Sequence, residues 1–267
     1  MKILVAGATG AIGRRLVPLL VKSGHTVSGT TRHADRARTL VELGAQPIVV
    51  DVFDAETLRD TLANDRPDAI IHQLTDLSGE DFKANSRLRI EGTRNLVDAA
   101  KAAGVEVMVA QSIAWLYVAG TTPAVETDPL DPDARGYAGV VALENIVAEL
   151  PRGVVLRYGR LYGPGTWYAP DGLIAERIRK GEFNEPPAWA SFVHVDDAAA
   201  GAAAALDWPA GPVNVVDDEP TTDWIGTFGG TPSDGVPAGR PISNAKARSL
   251  GWQPAYPRLS VSEPLAT

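Results

Sequence analysis

Hydrophobic and polar residues follow one another along this chain in blocks that predict alternating strands and helices. Residues 3–6 form a short apolar run that is typical of a buried parallel strand, and residues 14–22 have the amphipathic spacing of a helix. The same order recurs, so we expect an α/β fold built on a doubly wound parallel sheet. The later strands are predicted at residues 25–31, 47–50, 69–74, 107–111 and 153–157, and the later helices at residues 35–43, 55–62 and 81–103.

Three glycines at spacings of three residues separate the first strand from the first helix. Glycine is required where a pyrophosphate approaches backbone N–H groups at the start of a helix, and where that helix packs closely on its strand. The turn therefore predicts a dinucleotide site, and an ordinary strand-to-helix turn is the alternative. The cofactor contacts predicted in this turn are Gly7, Thr9, Gly10, Ala11, Ile12 and Gly13.

The end of the second strand indicates which dinucleotide binds. NAD-binding folds carry an acid about 20 residues after the glycines, where it accepts hydrogen bonds from the adenosine ribose. Thr31 and Arg32 stand in this place here, and a hydroxyl beside a guanidinium suits a 2′-phosphate better than a free diol. We therefore expect NADP in preference to NAD. The alternative is that Arg32 is a solvated residue at the start of the next helix.

The carboxyl ends of the third and fourth strands meet at the same edge of the sheet, where ligands collect in open α/β folds. Asp51 and Val52 follow the third strand and are predicted to contact the adenine ring. Leu74 and Thr75 follow the fourth strand and are predicted to contact the cofactor, and Asp76 is assigned to the substrate.

Composition and charge exclude several classes of partner. A formal net charge of −8 and a pI near 5.1 argue against nucleic acid and anionic membranes, and no apolar run approaches the roughly 18 residues of a membrane span. The chain has no cysteine and its four histidines show no ligand spacing, so we expect no metal site. We expect a cytoplasmic protein with a small-molecule substrate.

A series of short motifs, in order along the chain, carries a family resemblance. They are Gly7-Ala-Thr-Gly10-Ala-Ile-Gly13, Asp51-Val52, Glu91-Gly-Thr-Arg-Asn-Leu-Val97, Gln111-Ser112, Arg157-Tyr-Gly-Arg-Leu-Tyr-Gly-Pro-Gly165, Phe192-Val-His-Val-Asp-Asp-Ala198 and Val213-Asn-Val-Val216. In these motifs the chain resembles the extended short-chain dehydrogenase/reductases, the NAD-dependent epimerase/dehydratase group.

This resemblance implies a division of the chain into two regions. The larger is a Rossmann-type dinucleotide-binding domain over residues 1–165, to which residues 190–217 return. The smaller is a C-terminal substrate-binding subdomain over residues 166–189 and 218–267. We expect this subdomain to be shortened, because residues 222–228 support about two helical turns and residues 229–239 have the composition of a loop.

The resemblance also implies a catalytic serine and further site residues. Ser112 ends the fifth predicted strand and matches that serine, which would orient a substrate oxygen; a hydroxyl that satisfies a turn is the alternative. Arg89 occupies the place of the asparagine that the family carries before Gly-Thr. Tyr158, which follows the sixth strand, is a further candidate for contact with the cofactor.

The family's Tyr-x-x-x-Lys pair is incomplete in this chain. Tyr137 matches the tyrosine, but Val141 stands in place of the lysine. If the pair is instead counted back from Glu144, it falls on Gly136 and Val140, so neither register contains a lysine. A tyrosine without a lysine to lower its pKa is a poor base at neutral pH. We therefore expect Tyr137 to donate a proton in reduction or to form a hydrogen bond only.

Together these features predict an oxidoreductase-type enzyme that binds NADP(H) and acts on a small carbonyl, alcohol or sugar-like substrate. An epimerase or dehydratase that uses the cofactor transiently is one alternative, and a non-catalytic NADP(H)-sensing protein is another. The resemblance makes a homodimer plausible through residues 87–100 and 138–150. The residues predicted to bind substrate are Asp76, Ile113, Trp115, Tyr162, Trp167 and Tyr168.

Overall fold

A computed structural model describes residues 1–76, 80–183, 186, 188–232 and 234–261. The described strands are β1 (Lys2–Ala6), β2 (Thr26–Thr31), β3 (Gln46–Val49), β4 (Ala69–His72), β5 (Val107–Ile113), β6 (Arg152–Tyr158), β7 (Arg160–Tyr162), β8 (Phe192–His194) and β9 (Gly211–Val215). The described α-helices are α1 (Gly13–Lys22), α2 (Ala37–Glu42), α3 (Ala55–Asp65), α4 (Phe82–Arg87), α5 (Thr93–Ala102), α6 (Tyr137–Val147), α7 (Leu173–Arg179), α8 (Val195–Ala204), α9 (Trp224–Thr227) and α10 (Ala245–Ser249).

Seven of these strands form one sheet in the order β3-β2-β1-β4-β5-β6-β9. β1 pairs in parallel with both β2 and β4, and β2–β3 and β4–β5 are parallel as well. The chain moves outward from β1 to β3 and then crosses back to β4, so the strand order reverses between β1 and β4. The expected α/β, Rossmann-type doubly wound sheet is confirmed, and this reversal is the point at which such sheets bind ligands.

A continuous apolar core covers one face of the sheet. Strand and helix side chains interlock there, including Leu4, Ile70 and Met108 from the strands and Leu58, Leu96 and Leu143 from α3, α5 and α6. Each such leucine contributes roughly 2 kcal/mol relative to an exposed position. This packing fixes α6 against the sheet, and α6 carries much of the candidate site.

The helix predicted over residues 81–103 is divided in the structure. α4 and α5 are separated by a π-helical turn, Leu88–Gly92, and Arg89 of this turn is buried. The fourth strand also ends earlier than predicted, at His72 instead of residue 74, because the Leu74 N–H donates to Nδ1 of the His72 ring at 3.2 Å. Both differences arise from buried side chains, which hydrophobic periodicity does not register.

The chain forms two compact units. Unit 1 comprises residues 1–112, 132–156 and 199–212, and unit 2 comprises residues 113–131, 157–198 and 213–267. The segments predicted to bind substrate, 166–189 and 218–267, both belong to unit 2. This unit contains the short parallel pair β7–β8 and an aromatic core. The helix expected near residues 222–228 is the four-residue α9. Among the described residues, every helix is too short or too polar to cross a bilayer.

Candidate functional site

The glycine turn between β1 and α1 is shaped by close backbone contacts. A Cβ atom on Gly7, whose φ is +90°, would lie 2.8 Å from the carbonyl carbon of Gln73. A Cβ atom on Gly13 would lie 2.3 Å from the carbonyl oxygen of Gly7 and 2.7 Å from Cα of Ala8. Because these neighbours are backbone atoms, a side chain could not be accommodated by rotation. The turn therefore leads directly into the N-terminus of α1, which favours an anion.

A cavity of about 180 Å³ in unit 1 extends along this edge of the sheet. Ten of the predicted site residues line it, namely Gly7, Thr9, Gly10, Thr31, Arg32, Asp51, Val52, Leu74, Thr75 and Asp76. Asp76, which we assigned to the substrate, thus lies with the predicted cofactor residues. Ala11, Ile12 and Gly13 do not line it; the Ile12 side chain is buried and Gly13 serves the close packing of α1.

Sequence reasoning missed four polar residues of this cavity: Thr30 near the end of β2, and His33, Arg36 and Gln73 beyond the ends of strands. His33 and Arg36 lie just beyond the end of β2, and Gln73 directly follows β4. Their places after strands that end at the ligand-binding edge were a signal that could have identified them.

The end of β2 is positively charged. The Arg32 guanidinium forms an ion pair with Asp76 at 3.6 Å, and Arg36 lines the same cavity. The Thr31 hydroxyl oxygen accepts a hydrogen bond from the His33 N–H at 3.2 Å, which fixes the backbone at this corner. Among the described residues of β2 and of the turn after it, no acidic side chain comes before Asp35. This part of the chain therefore has no carboxylate to accept hydrogen bonds from a ribose diol.

The predicted catalytic serine makes a specific contact with α6. The Ser112 hydroxyl donates a hydrogen bond to Oε1 of Glu144 at 2.8 Å, and Ser112 is fully buried. The Arg89 guanidinium interacts electrostatically with the same carboxylate. The site therefore contains a buried serine, a carboxylate and a buried cation. The orienting role predicted for Ser112 gains no support from this geometry, because its hydrogen is committed to Glu144.

The contact of Ser112 with Glu144 leaves both registers of the family's tyrosine–lysine pair open. At about 100° per residue, Val140 lies about 40° from the direction of Glu144 on α6, and Tyr137, seven residues before Glu144, lies about 20° from it. Val140 is fully buried, and a Cβ atom on Gly136 would lie 3.9 Å from Nη1 of Arg89. In either register the position of the family's lysine is a valine, Val140 or Val141.

Tyr137 lies one residue further round the helix from Gly136, which is a rotation of about 100°. It is the first residue of α6, and its backbone N–H donates to the carbonyl of Ala134 at 3.0 Å. Val141, one turn later, shares its direction. Proton donation by Tyr137 remains a prediction.

His72 and Arg89 form the buried floor beside this contact. Nδ1 of His72 accepts from the Leu74 N–H, so the ring proton is on Nε2, which donates to the Thr93 hydroxyl at 3.1 Å. Burial, and secondarily the charge of Arg89, lowers the pKa of His72 to about 4. Burial also lowers the pKa of Arg89 to about 10, against the opposing effect of Glu144. At neutral pH the imidazole is therefore neutral and the guanidinium is charged.

Two tyrosines predicted to bind ligands are interior residues of unit 2. Tyr158 is 1% exposed and its hydroxyl donates to the carbonyl of Ala198 at 3.0 Å. Tyr162 is also 1% exposed and donates to the carbonyl of Arg258 at 2.8 Å. Ile113 is buried as well. These side chains offer no accessible face to a ligand, because their apolar surfaces are used in packing.

The aromatic loop after β7 packs in the same way. The Tyr168 hydroxyl accepts a hydrogen bond from Nη1 of Arg160 at 2.7 Å, and its ring meets that of Trp224 edge to face. Trp167 packs against the same cluster. Trp115 differs, since it is 46% exposed and is free to contact a small molecule. No group of histidines and carboxylates among the described residues has the arrangement of a metal site.

Residues 3–216 match the NAD dependent epimerase/dehydratase family. The chain belongs to this family. A 3-diazoavenalumate denitrifying reductase from a Streptomyces species is 40% identical, over 96% of this chain and 97% of that protein. A UDP-glucose 4-epimerase from Mycolicibacterium smegmatis is 33% identical, over 54% of this chain and 49% of that one. The crystal structure of a Thermus thermophilus UDP-glucose 4-epimerase in complex with NAD has a TM-score of 0.76 at 28% identity, and the match covers 96% of this chain and 94% of that one.

As a member of the epimerase/dehydratase family, the protein is an NAD(P)-dependent enzyme with a nicotinamide dinucleotide cofactor. Its residues fit such a cofactor, because the backbone at Gly7 and Gly13 leaves no room for a Cβ atom and opens onto the start of α1. The glycine turn would hold the pyrophosphate, and Thr31 and Arg32 would face the adenosine ribose. In the catalytic half of the site, a valine stands at the position of the family's lysine, which is Val141 or Val140 according to the register.

Proposed function

We propose that this protein is an NADPH-dependent reductase that delivers a hydride to a small electrophile whose reduction takes no proton from the protein. The substrate class that we assign is a diazo compound in its diazonium form, R–N2⁺. This is the class named for the Streptomyces relative, which is 40% identical over nearly the whole length of both chains.

The observation that carries the proposal is the condition of the positions that handle protons in the family. Ser112 is buried and gives its hydrogen to Glu144, and in either register a valine, Val140 or Val141, stands in place of the lysine. A valine side chain can neither hold nor transfer a proton, so the tyrosine position has no lysine beside it. Carbonyl reduction needs a proton donor at oxygen and alcohol oxidation needs a base. Both reactions therefore lack part of their usual proton relay here.

Reductive removal of nitrogen from a diazonium carbon needs neither group. When bound, the dinucleotide supplies the hydride. The two electrons of the hydride form the new C–H bond, the C–N bond breaks, and its electron pair leaves with N2. The overall change, R–N2⁺ plus NADPH to R–H, N2 and NADP⁺, balances without a proton. The residues of this chain then need only bind the two reactants, orient them and exclude water.

NADPH is proposed as the cofactor form because of the cations beyond β2. Arg32 and Arg36 line the cavity where the adenosine ribose would lie. Titration of the protein with NADPH and NADH tests this, and Arg32→Ala should weaken NADPH binding about tenfold or more while leaving NADH binding unchanged. Arg38→Ala is the matched control, since Arg38 is exposed and pairs with Glu42. Tighter binding of NADH than NADPH by the unaltered protein would contradict this preference.

The reaction is tested by supplying the purified protein with NADPH and 3-diazoavenalumate, the diazo compound in the relative's name. We expect one N2 released for each NADPH oxidised, and deuterium from 4-deuterated NADPH in the new C–H bond. Parallel reactions with simple ketones and with UDP-glucose test the other reductase and epimerase reactions. Ketone reduction or UDP-galactose formation without N2 release would overturn the proposal. Binding of NADPH without any turnover would favour a cofactor sensor and would overturn it too.

A further inference from the structure

Gln73 is a buried polar residue whose side chain has no protein partner. It is 6% exposed, and neither its amide oxygen nor its amide nitrogen has a hydrogen-bond partner among the described residues. Its backbone is held by the sheet, since its N–H donates to the carbonyl of Ala6 at 2.8 Å. Buried amides are almost always hydrogen-bonded, because an unpaired one loses its bonds to water without replacement. We therefore expect the hydrogen-bond partner of this side chain to lie outside the protein.

The position of Gln73 shows which ligand that partner belongs to. Gln73 directly follows β4, and its backbone lies under the first glycine of the turn, where a Cβ atom on Gly7 would come within 2.8 Å of it. Gln73 lines the same cavity as Gly7, Thr9 and Gly10. Gln73 thus lies beside the turn that would hold a pyrophosphate, at the reversal of strand order between β1 and β4.

We propose that the Gln73 side chain binds the dinucleotide at its pyrophosphate and at the adjoining ribose on the nicotinamide side. An amide suits this junction because its NH2 group donates to phosphate oxygens and its carbonyl accepts from a ribose hydroxyl. A carboxylate would be repelled by the phosphates, and an apolar side chain would form neither bond. The inference concerns the cofactor and is independent of the hydride acceptor proposed above.

If Gln73 binds the dinucleotide, its side chain should lower the stability of the free protein and strengthen cofactor binding. Without ligand, both amide atoms are buried and unpaired, which lowers stability. With the dinucleotide bound, the amide regains two hydrogen bonds. An apolar side chain of similar size should therefore raise the stability of the free protein and weaken cofactor binding. A residue with a purely structural role would not produce these opposite effects.

The test compares Gln73→Leu and Gln73→Met with Gln46→Leu, which makes the same chemical change at the exposed start of β3. The melting temperature is measured without ligand. Dissociation constants are measured by titration with NADPH, NADH and 2′,5′-ADP, a fragment that lacks the pyrophosphate and the second ribose. Because both cofactor forms are titrated, the result does not depend on which form the protein prefers.

We expect both Gln73 variants to melt a few degrees higher than the unaltered protein and to bind NADPH and NADH about tenfold more weakly. Their affinity for 2′,5′-ADP, and all properties of Gln46→Leu, should be unchanged. Unchanged dinucleotide affinity would overturn the proposal, as would an equal loss for 2′,5′-ADP. Variants that melt lower or fail to fold would also overturn it, because the unpaired amide would then stabilise the free protein.

Discussion

The hydroxyl of Ser112 donates a hydrogen bond of 2.8 Å to Oε1 of Glu144, and so joins the end of β5 to the middle of α6. This contact replaces the arrangement in which the family's serine faces a tyrosine and a lysine. Glu144 in turn compensates the buried charge of Arg89. The serine that the family resemblance assigns to catalysis is thus bound to a carboxylate that also interacts with a buried cation.

Removal of Glu144 should destabilise the protein through Arg89. Glu144→Ala leaves the guanidinium charged and buried without its carboxylate, and we expect a loss of about 3 kcal/mol in the free energy of unfolding. The double variant Glu144→Leu with Arg89→Met should recover most of this loss, because no buried charge remains. Urea unfolding measures both.

Glu149→Ala is the matched control for this prediction. Glu149 is 40% exposed at its side chain and pairs with Arg94 and Lys101 on the surface, so its removal should cost less than about 1 kcal/mol. If Glu149→Ala cost as much as Glu144→Ala, or if the double variant were less stable than Glu144→Ala, the buried pair would not have the role described here.

Stability should fall in mildly acidic solution because of His72. Its folded-state pKa of about 4 lies below its ordinary value of 6.5, so between these values the unfolded chain binds a proton that the folded protein does not. From pH 7 to pH 4.5 this group alone should lower the free energy of unfolding by about 2 kcal/mol. Unfolding measured across this range for the unaltered protein and for His72→Asn checks the prediction.

The variant should behave differently from the unaltered protein in two respects. His72→Asn should be less stable at pH 8, because the hydrogen bond to Thr93 is lost, but its stability should change less on acidification. His33→Asn, at an exposed position, should keep the pH dependence of the unaltered protein. An unchanged acid slope in His72→Asn would contradict the lowered pKa.

Several elements of the fold could be predicted from the sequence because they depend on local pattern. Apolar runs and glycine spacing predicted the sheet, the turn after β1 and the ligand-binding edge of the sheet, where Thr31 and Thr75 both lie. The π-helical turn around Arg89 could not be read in this way, since a buried arginine interrupts the apolar periodicity of residues 81–103 without any proline. Arg89 interacts with Glu144, which lies far away in sequence.

The catalytic half of the site shows a second limit of sequence reasoning. Tyr137 and Gly136 are neighbours in sequence, and the family's motif can be matched with either of them at the tyrosine position. A shift of one residue turns a helical side chain by about 100°, so motif matching alone cannot choose between the two registers. Gln73 was missed because its significance lies in the lack of a protein partner.

Alanine substitutions at two glycines of the turn should have different effects on stability, although both should weaken cofactor binding. A Cβ atom at position 13 meets backbone atoms at 2.3 and 2.7 Å, so Gly13→Ala should lower the free energy of unfolding by more than about 2 kcal/mol. A Cβ atom at position 10 meets only the Gly7 carbonyl oxygen, at 3.2 Å, so Gly10→Ala should change stability by less than about 1 kcal/mol.

Both variants should lose dinucleotide affinity. A methyl group on Gly10 obstructs the approach of the pyrophosphate, and a methyl group on Gly13 displaces the start of α1, which faces the pyrophosphate. Thermal unfolding and NADPH titration distinguish the two effects. Equal loss of stability in the two variants would contradict the packing described here, and full cofactor affinity in Gly10→Ala would contradict the placement of the pyrophosphate.

The central claim is that this enzyme transfers a hydride without a proton relay, and the turnover of Tyr137→Phe tests it most directly. The variant removes the one hydroxyl on the first turn of α6 and keeps the ring. With NADPH and 3-diazoavenalumate, we expect the variant to release N2 at a rate within about twofold of the unaltered protein, because general acid catalysis is worth about 10²- to 10⁴-fold where it operates. A loss of about a hundredfold or more would show that Tyr137 supplies a proton and would contradict hydride transfer without a proton relay.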